Sequence, residues 1–241
     1  MSELPPVNAP YFEFGQFQRT PKSLPENALI YNYPWDELPP FGESDQTISL
    51  LGYGSLMNRS SAAQVLCSET MSTARSVIAW GARRVYNTIS LNRMAYAEYC
   101  HPADSDYGVL NAMTADGHWF NAVEYQVRQE DIEFLRTREK AYDLIPVWIS
   151  DCNTPAETNR WAYFFSRRQS YWNDTQILYD AVVPLEKYHQ ICETGCREIA
   201  EDFLEMFRQS TWLNNGNQSL SISEEIIRLD LQTAAVARRA I

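Results

Sequence analysis

Apolar residues along this chain change their spacing from region to region, and each change predicts a different kind of structure. Over residues 1–46 no period holds. Pro5, Pro6, Pro10, Pro21, Pro25, Pro34, Pro39 and Pro40 interrupt an interleaved set of rings: Tyr11, Phe12, Phe14, Phe17, Tyr31, Tyr33, Trp35 and Phe41. Prolines this dense forbid helix and central strand. A freely solvated linker would not carry so many aromatics, so an extended arm laid over a folded body is expected, its rings filling surface grooves. From Thr47 the pattern turns to short apolar runs bounded by turn residues. Thr47 to Tyr53 predicts a buried strand running into a turn at Gly52 and Gly54. Arg59 to Cys67 predicts a short helix that Asn58 or Ser60 can cap. Val77 to Tyr86 predicts a strand interrupted at Gly81. Tyr107 to Thr114 and His118 to Val127 flank Asp116-Gly117, a two-residue hairpin signal. Gln129 to Ala141 predicts a helix, and Pro146 to Ser150 and Trp161 to Ser166 predict strands.

The C-terminal third changes period again. Leu185, Tyr188, Cys192, Cys196, Ile199, Phe203 and Met206 recur at spacings of three and four, one apolar face of a long helix with Gly195 as its weak point. Ser221 with Glu224 forms a capping box ahead of a last helix from about Ile222 to Arg239. Strands with a hairpin followed by helices predict an α+β fold. The expected divisions are a proline- and aromatic-rich arm over 1–46, a main domain over 47–210, and a C-terminal loop and helix over 211–241.

Composition narrows the functional classes. The chain has 241 residues, 45% of them hydrophobic, enough for a packed core. Lys and Arg number 20 against 31 Asp and Glu, a net charge of −11. Phosphate backbones and anionic lipid repel such a surface, and Arg83-Arg84, Arg167-Arg168 and Arg238-Arg239 are isolated pairs rather than a stripe. Neither a nucleic-acid nor a membrane partner is expected. No apolar run approaches the ~18 residues of a membrane span. The first thirty residues show no cationic start with an apolar run behind it, so a cytoplasmic protein is expected. Five scattered cysteines, Cys67, Cys100, Cys152, Cys192 and Cys196, are expected to stay reduced, and neither paired-cysteine zinc spacing occurs.

Two places could carry chemistry. Gly52-Tyr53-Gly54-Ser55-Leu56-Met57 begins like a dinucleotide fingerprint, but Met57 holds the third glycine position and no regular βαβ unit follows. What remains is a strand ending in a glycine turn that leads into a helix. Such a turn aims backbone N–H groups outward and suits a small carboxylate, although glycines mark ordinary turns as well. The second place is Glu139. Ile132, Leu135, Glu139 and Tyr142 fall on one helical face, which sets a carboxylate on the core-facing stripe. Desolvation there would raise its pKa and make it a proton acceptor near neutral pH. The alternative is an ion pair with Arg136 at i−3, or an exposed helix end.

The order of these features resembles one family. Leu50-Leu51-Gly52-Tyr53-Gly54-Ser55-Leu56-Met57-Asn58 resembles the signature loop of the γ-glutamylcyclotransferase superfamily, which includes the γ-glutamylamine cyclotransferases. The stretch from Glu130 to Tyr142 resembles the family's helix, in which a leucine is followed four residues later by the catalytic glutamate, here Leu135 and Glu139. Tyr107 to Asn111 and Phe120 to Val127 resemble its middle hairpin, and Pro184 to Ile191 the tyrosine-bearing start of its late helix. Arg136 departs from the pattern: the family often has Asp there.

The resemblance implies a mixed β-barrel with helices around it. It also implies an enzyme that needs no cofactor or metal and acts on a small-molecule γ-glutamyl substrate. Glu139 would be the general acid and base. Tyr53, Gly54, Ser55 and Leu56 would bind the substrate carboxylate through backbone N–H groups, and Tyr188 would be a pocket wall or hydroxyl donor. The products would be 5-oxoproline and a free amine. The competing expectation is a catalytically inactive module of the same fold that binds a small ligand or a protein. A serine hydrolase is excluded, because Ser55 lacks the G-x-S-x-G surroundings and no histidine is suitably placed.

Overall fold

The computed structural model describes Leu24, residues 28–32, Trp35, Leu38, and residues 46–89, 108–139, 142–153, 160–167 and 184–213. The expected last helix at 222–239 and most of the arm lie outside these residues.

The fold is α+β, built on one mixed sheet. Its strands are β1 (Thr47–Gly52), β2 (Arg75–Ile89), β3 (Gly108–Arg128), β4 (Tyr142–Asp151), β5 (Arg160–Arg167) and β6 (Thr211–Leu213). The sheet order is β3-β1-β5-β4-β2-β6, and β3 also pairs with β2, so the first five strands close into a barrel with β6 appended. β1 with β5 and β2 with β6 are parallel, and the other pairs are antiparallel. Closure leaves the barrel itself without free edges. Leu51, Ile78, Phe120, Ile149 and Phe164 are fully or almost fully buried in its core.

The hairpin expected at Asp116-Gly117 does not form. Residues 108–128 are one strand, and both halves pair with β2, from Ala82↔Thr114 on one side to Trp80↔Trp119 on the other. The residues between them make a bulge opposite Gly81. Gly81 (φ 73°) and Gly117 (φ 81°) take the left-handed backbone that this kink requires. An Asp-Gly pair supplies the positive φ a tight hairpin needs, and a bulge draws on the same property.

The helices are α1 (Arg59–Ala62), α2 (Ser68–Ser72), α3 (Gln129–Arg138), α4 (Glu186–Ile199) and α5 (Glu201–Ser210). Asn58 caps α1 as expected, its Oδ1 accepting from the Ser61 N–H at 3.0 Å. The single long late helix is instead two. The break is at Ala200, which is fully extended (φ −170°, ψ 156°), and Gly195 lies inside an unbroken α4. Gly195 is there for contact. A Cβ on it would lie 2.5 Å from the Asn58 Cα and N, so its bare backbone lets α4 pack directly on the chain after the 53–56 turn.

Parts of the arm pack on the barrel. Tyr31 pairs with Leu144 of β4 through two backbone bonds (3.0 and 2.8 Å), and Tyr31, Trp35 and Leu38 are buried. Trp35 adopts φ 64°, a left-handed backbone that costs a bulky residue on the order of 1–3 kcal/mol and persists only where surrounding contacts impose it.

Candidate active site

β1 delivers the chain to the Tyr53-Gly54-Ser55-Leu56 turn, and every carbonyl of that turn is occupied. The Tyr53 carbonyl accepts from Arg84 Nη1 (3.2 Å), and the Leu56 carbonyl from Tyr125 Oη (2.8 Å). The Gly54 carbonyl accepts from the Met57 N–H (2.9 Å), and the Ser55 carbonyl from the Asn58 N–H (3.2 Å). Among the described residues, nothing accepts from the N–H groups of Gly54, Ser55 and Leu56. The turn therefore spends its acceptors on the protein and keeps its donors, a local field suited to an anion.

Arg84 holds this turn from inside. Its guanidinium is fully buried, 4.1 Å from the centre of the Phe207 ring and 5.6 Å from that of Phe120. It also donates to the Asn121 carbonyl (2.7 Å), Thr211 Oγ1 (2.8 Å) and the Phe207 carbonyl (3.1 Å). Burial pulls its pKa down to about 10, still cationic at neutral pH.

The structure corrects the expected setting of Glu139. α3 ends at Arg138, so Glu139 is the residue after the helix (φ −99°, ψ 45°), its N–H still donating to the Leu135 carbonyl at 2.7 Å. Tyr142 is not the next residue of a helical stripe but the first of β4. The ion-pair partner also differs from expectation: Arg138 Nε lies 3.1 Å from Glu139 Oε1, while Arg136 Nη2 donates to the Trp35 carbonyl at 2.8 Å. The Glu139 side chain is 18% exposed and thus recessed but reachable. Its second oxygen, Oε2, has no partner among the described residues. Burial raises the Glu139 pKa against the opposing pull of Arg138 and Arg167.

Arg138 is the link between loop and carboxylate. The guanidinium that meets Glu139 also donates through Nη2 to Ser55 Oγ (2.8 Å) and through Nη1 to the Ser61 carbonyl (3.2 Å). Three tyrosines complete the surroundings. Burial pushes Tyr142 up to about 12 and Tyr53 and Tyr188 well above their ordinary value, and the Glu139 charge pushes each the same way. All three stay neutral hydroxyls at physiological pH. Tyr188, on α4, sets its hydroxyl against Gly54, where a Cβ would collide with it. An open groove of about 580 Å³ runs past Asn58, Ser61, Gln64 and Ile191, and of the site residues only Arg138 reaches it.

The structure thus brings Tyr53, Gly54, Ser55, Glu139 and Tyr188 together. Leu56 contributes its backbone alone, its side chain being buried. Sequence reasoning set Tyr142 beside Glu139, though on a helical stripe rather than at the start of β4, and missed Arg138, Arg167 and Arg84 as parts of the site. Only Arg84 carried a signal: strand alternation puts it on the same face as Ala82 and Tyr86, both buried. Glu124 is a useful contrast. It is fully buried, accepts from Ser49 Oγ (2.6 Å) and Arg160 Nε (3.1 Å), and pairs with Arg160 Nη2 as well, so it has the satisfied surroundings of a structural ion. Glu139, with one oxygen unengaged, does not.

No protein-family model matches the chain, and no curated protein matches it significantly. Solved structures with a similar backbone include a γ-glutamyl cyclotransferase, at 11% identity and a TM-score of 0.48, covering 76% of this chain and 99% of that one. A Homo sapiens protein described as uncharacterized gives the same identity, score and coverage. YkqA from Bacillus subtilis is 14% identical with a TM-score of 0.46, covering 67% of this chain and 53% of that one. Likeness at this level assigns no activity.

Proposed function

We propose that the protein is a γ-glutamylcyclotransferase-like enzyme that converts an L-γ-glutamyl amine or peptide to 5-oxoproline and a free amine. The observation that carries the reading is the pairing of a donor-rich turn with a recessed carboxylate, joined through the Arg138 guanidinium. The N–H groups of Gly54, Ser55 and Leu56 hold the substrate α-carboxylate. At neutral pH the substrate α-amine is an ammonium and cannot attack. Glu139, through Oε2, takes a proton from it, and the freed amine attacks the γ-carbonyl to close a five-membered ring. Glu139 returns that proton to the leaving nitrogen as its C–N bond breaks. The carboxylate so freed takes the second proton from the ring nitrogen and passes it to the departing amine, which leaves as an ammonium. Both reacting groups belong to one molecule, so the protein's main task is to hold the substrate folded for attack. The neutral tyrosines Tyr53, Tyr142 and Tyr188 wall the site without adding charge.

One observation favours the alternative of an inactive binding module: Arg138 already neutralises Glu139 Oε1. Incubation with a panel of γ-glutamyl amines, dipeptides and glutathione, followed by 5-oxoproline measurement, separates the two. Release from any member that falls by ~10² or more in Glu139→Gln supports the enzyme. Absence of product across the panel, with binding detectable by calorimetry, supports the module.

A further inference from the structure

Trp35 belongs to the arm, more than a hundred residues from Glu139 in sequence, yet it is bonded to the chain on both sides of that residue. Its carbonyl accepts from Arg136 Nη2 at 2.8 Å, and its indole Nε1 donates to the Tyr142 carbonyl at 3.0 Å. Arg136 precedes Glu139 by three residues, and Tyr142 follows it by three. The indole itself is 1% exposed and lies 5.3 Å from the Phe165 ring, which in turn meets the Tyr142 ring edge-on at 6.2 Å. Trp35 holds its left-handed backbone (φ 64°) while its carbonyl meets the helix end and its ring nitrogen the strand start. From the helix, Arg138 pairs with the Glu139 carboxylate and the Leu135 carbonyl accepts the Glu139 N–H. Glu139 nevertheless lies past the last helical residue with non-helical dihedrals, so helical geometry does not set the direction of the chain that carries it.

We infer that Trp35 is a positioning residue for Glu139: the arm clamps both ends of the turn that carries the carboxylate and so sets its place opposite Ser55. The inference rests on Glu139 being the working carboxylate proposed above. It also gives Arg136 a task, because an arginine side chain at that position reaches the Trp35 carbonyl, whereas an aspartate has no donor to offer it.

The clamp has two separable jaws. Trp35→Phe keeps a ring against Phe165 and removes the Nε1 donor. Arg136→Met removes the other bond from a partly exposed position without opening the core. The Glu139 carboxyl is titrated by 13C NMR in the parent and both variants, its resonance assigned by its loss in Glu139→Gln. Steady-state kcat and KM are measured alongside. The clamp predicts that in each folded variant the carboxyl titrates lower, toward the ordinary carboxylate range, as the loosened turn lets water reach it. It also predicts a fall in kcat of ~10-fold to ~10²-fold, the cost of a slightly misplaced group, with KM little changed. If Trp35→Phe does not fold, Arg136→Met decides. Titration curves that superimpose on the parent's in the folded variants overturn the inference. A parent that turns over no γ-glutamyl substrate overturns the proposed function instead, and the titration still tests the clamp.

Discussion

The Tyr188 hydroxyl occupies the space into which a side chain at Gly54 would project. Helix α4 and the loop after β1 are therefore in contact through the tip of the Tyr188 side chain, which would have to move to admit a larger residue at position 54. Gly54→Ala is expected to abolish turnover of any γ-glutamyl substrate found. Adding Tyr188→Phe, which deletes the colliding oxygen, should recover part of the loss, with a coupling of ~0.5–3 kcal/mol in a double-mutant cycle of stability. Strict additivity of the two substitutions would show that the contact does not constrain the loop.

Glu139 links activity to a stability cost with a defined pH sign. Burial raises its pKa in the folded state. Between its ordinary value and its folded one, the native state therefore binds more protons than the unfolded state, and stability falls as pH rises through that window. Glu139→Gln removes the cost. Urea unfolding should find the variant at least as stable as the parent at pH 7, with the difference vanishing below about pH 4. A variant less stable at neutral pH would mean that the Arg138 pair outweighs desolvation.

Gly195 sets helix propensity against packing. Alanine is better than glycine inside a helix by ~1 kcal/mol. At this site, however, the added carbon meets the Asn58 backbone at 2.5 Å, and backbone has no rotamer by which to give way. Gly195→Ala is expected to be destabilised by ~1–3 kcal/mol in denaturant titration. A stabilised variant would contradict direct packing of α4 on the turn.

Arg84→Lys tests the buried cation. Lysine keeps the charge but loses the planar fork that serves Tyr53, Asn121, Phe207 and Thr211 together, and the stack on Phe207. Stranded carbonyls and a poorly solvated ammonium should cost ~2 kcal/mol or more in urea unfolding. An unchanged midpoint would show that the hub does not need the guanidinium.

What the sequence by itself determined was local. Strand runs, the Asn58 cap, the loop glycines and the apolar helical face at Tyr188, Cys192 and Cys196 follow from periodicity and short-range sterics, and the structure keeps them. The sequence singled out Glu139 as a carboxylate on an apolar helical stripe, whereas the structure seats it just past the helix end, still recessed from solvent. Where α3 stops, where the late helix breaks and how Asp116-Gly117 is used were decided by tertiary pairing. The same residues satisfy a bulge or a hairpin equally well until β2 supplies a partner for both halves of β3. The choice of Arg138 over Arg136 as partner of Glu139 was settled at longer range still, since Arg136 is drawn to the Trp35 carbonyl. Spacing along one helix cannot foresee that contact, because the competing acceptor comes from 101 residues away and only folding brings it within hydrogen-bond reach.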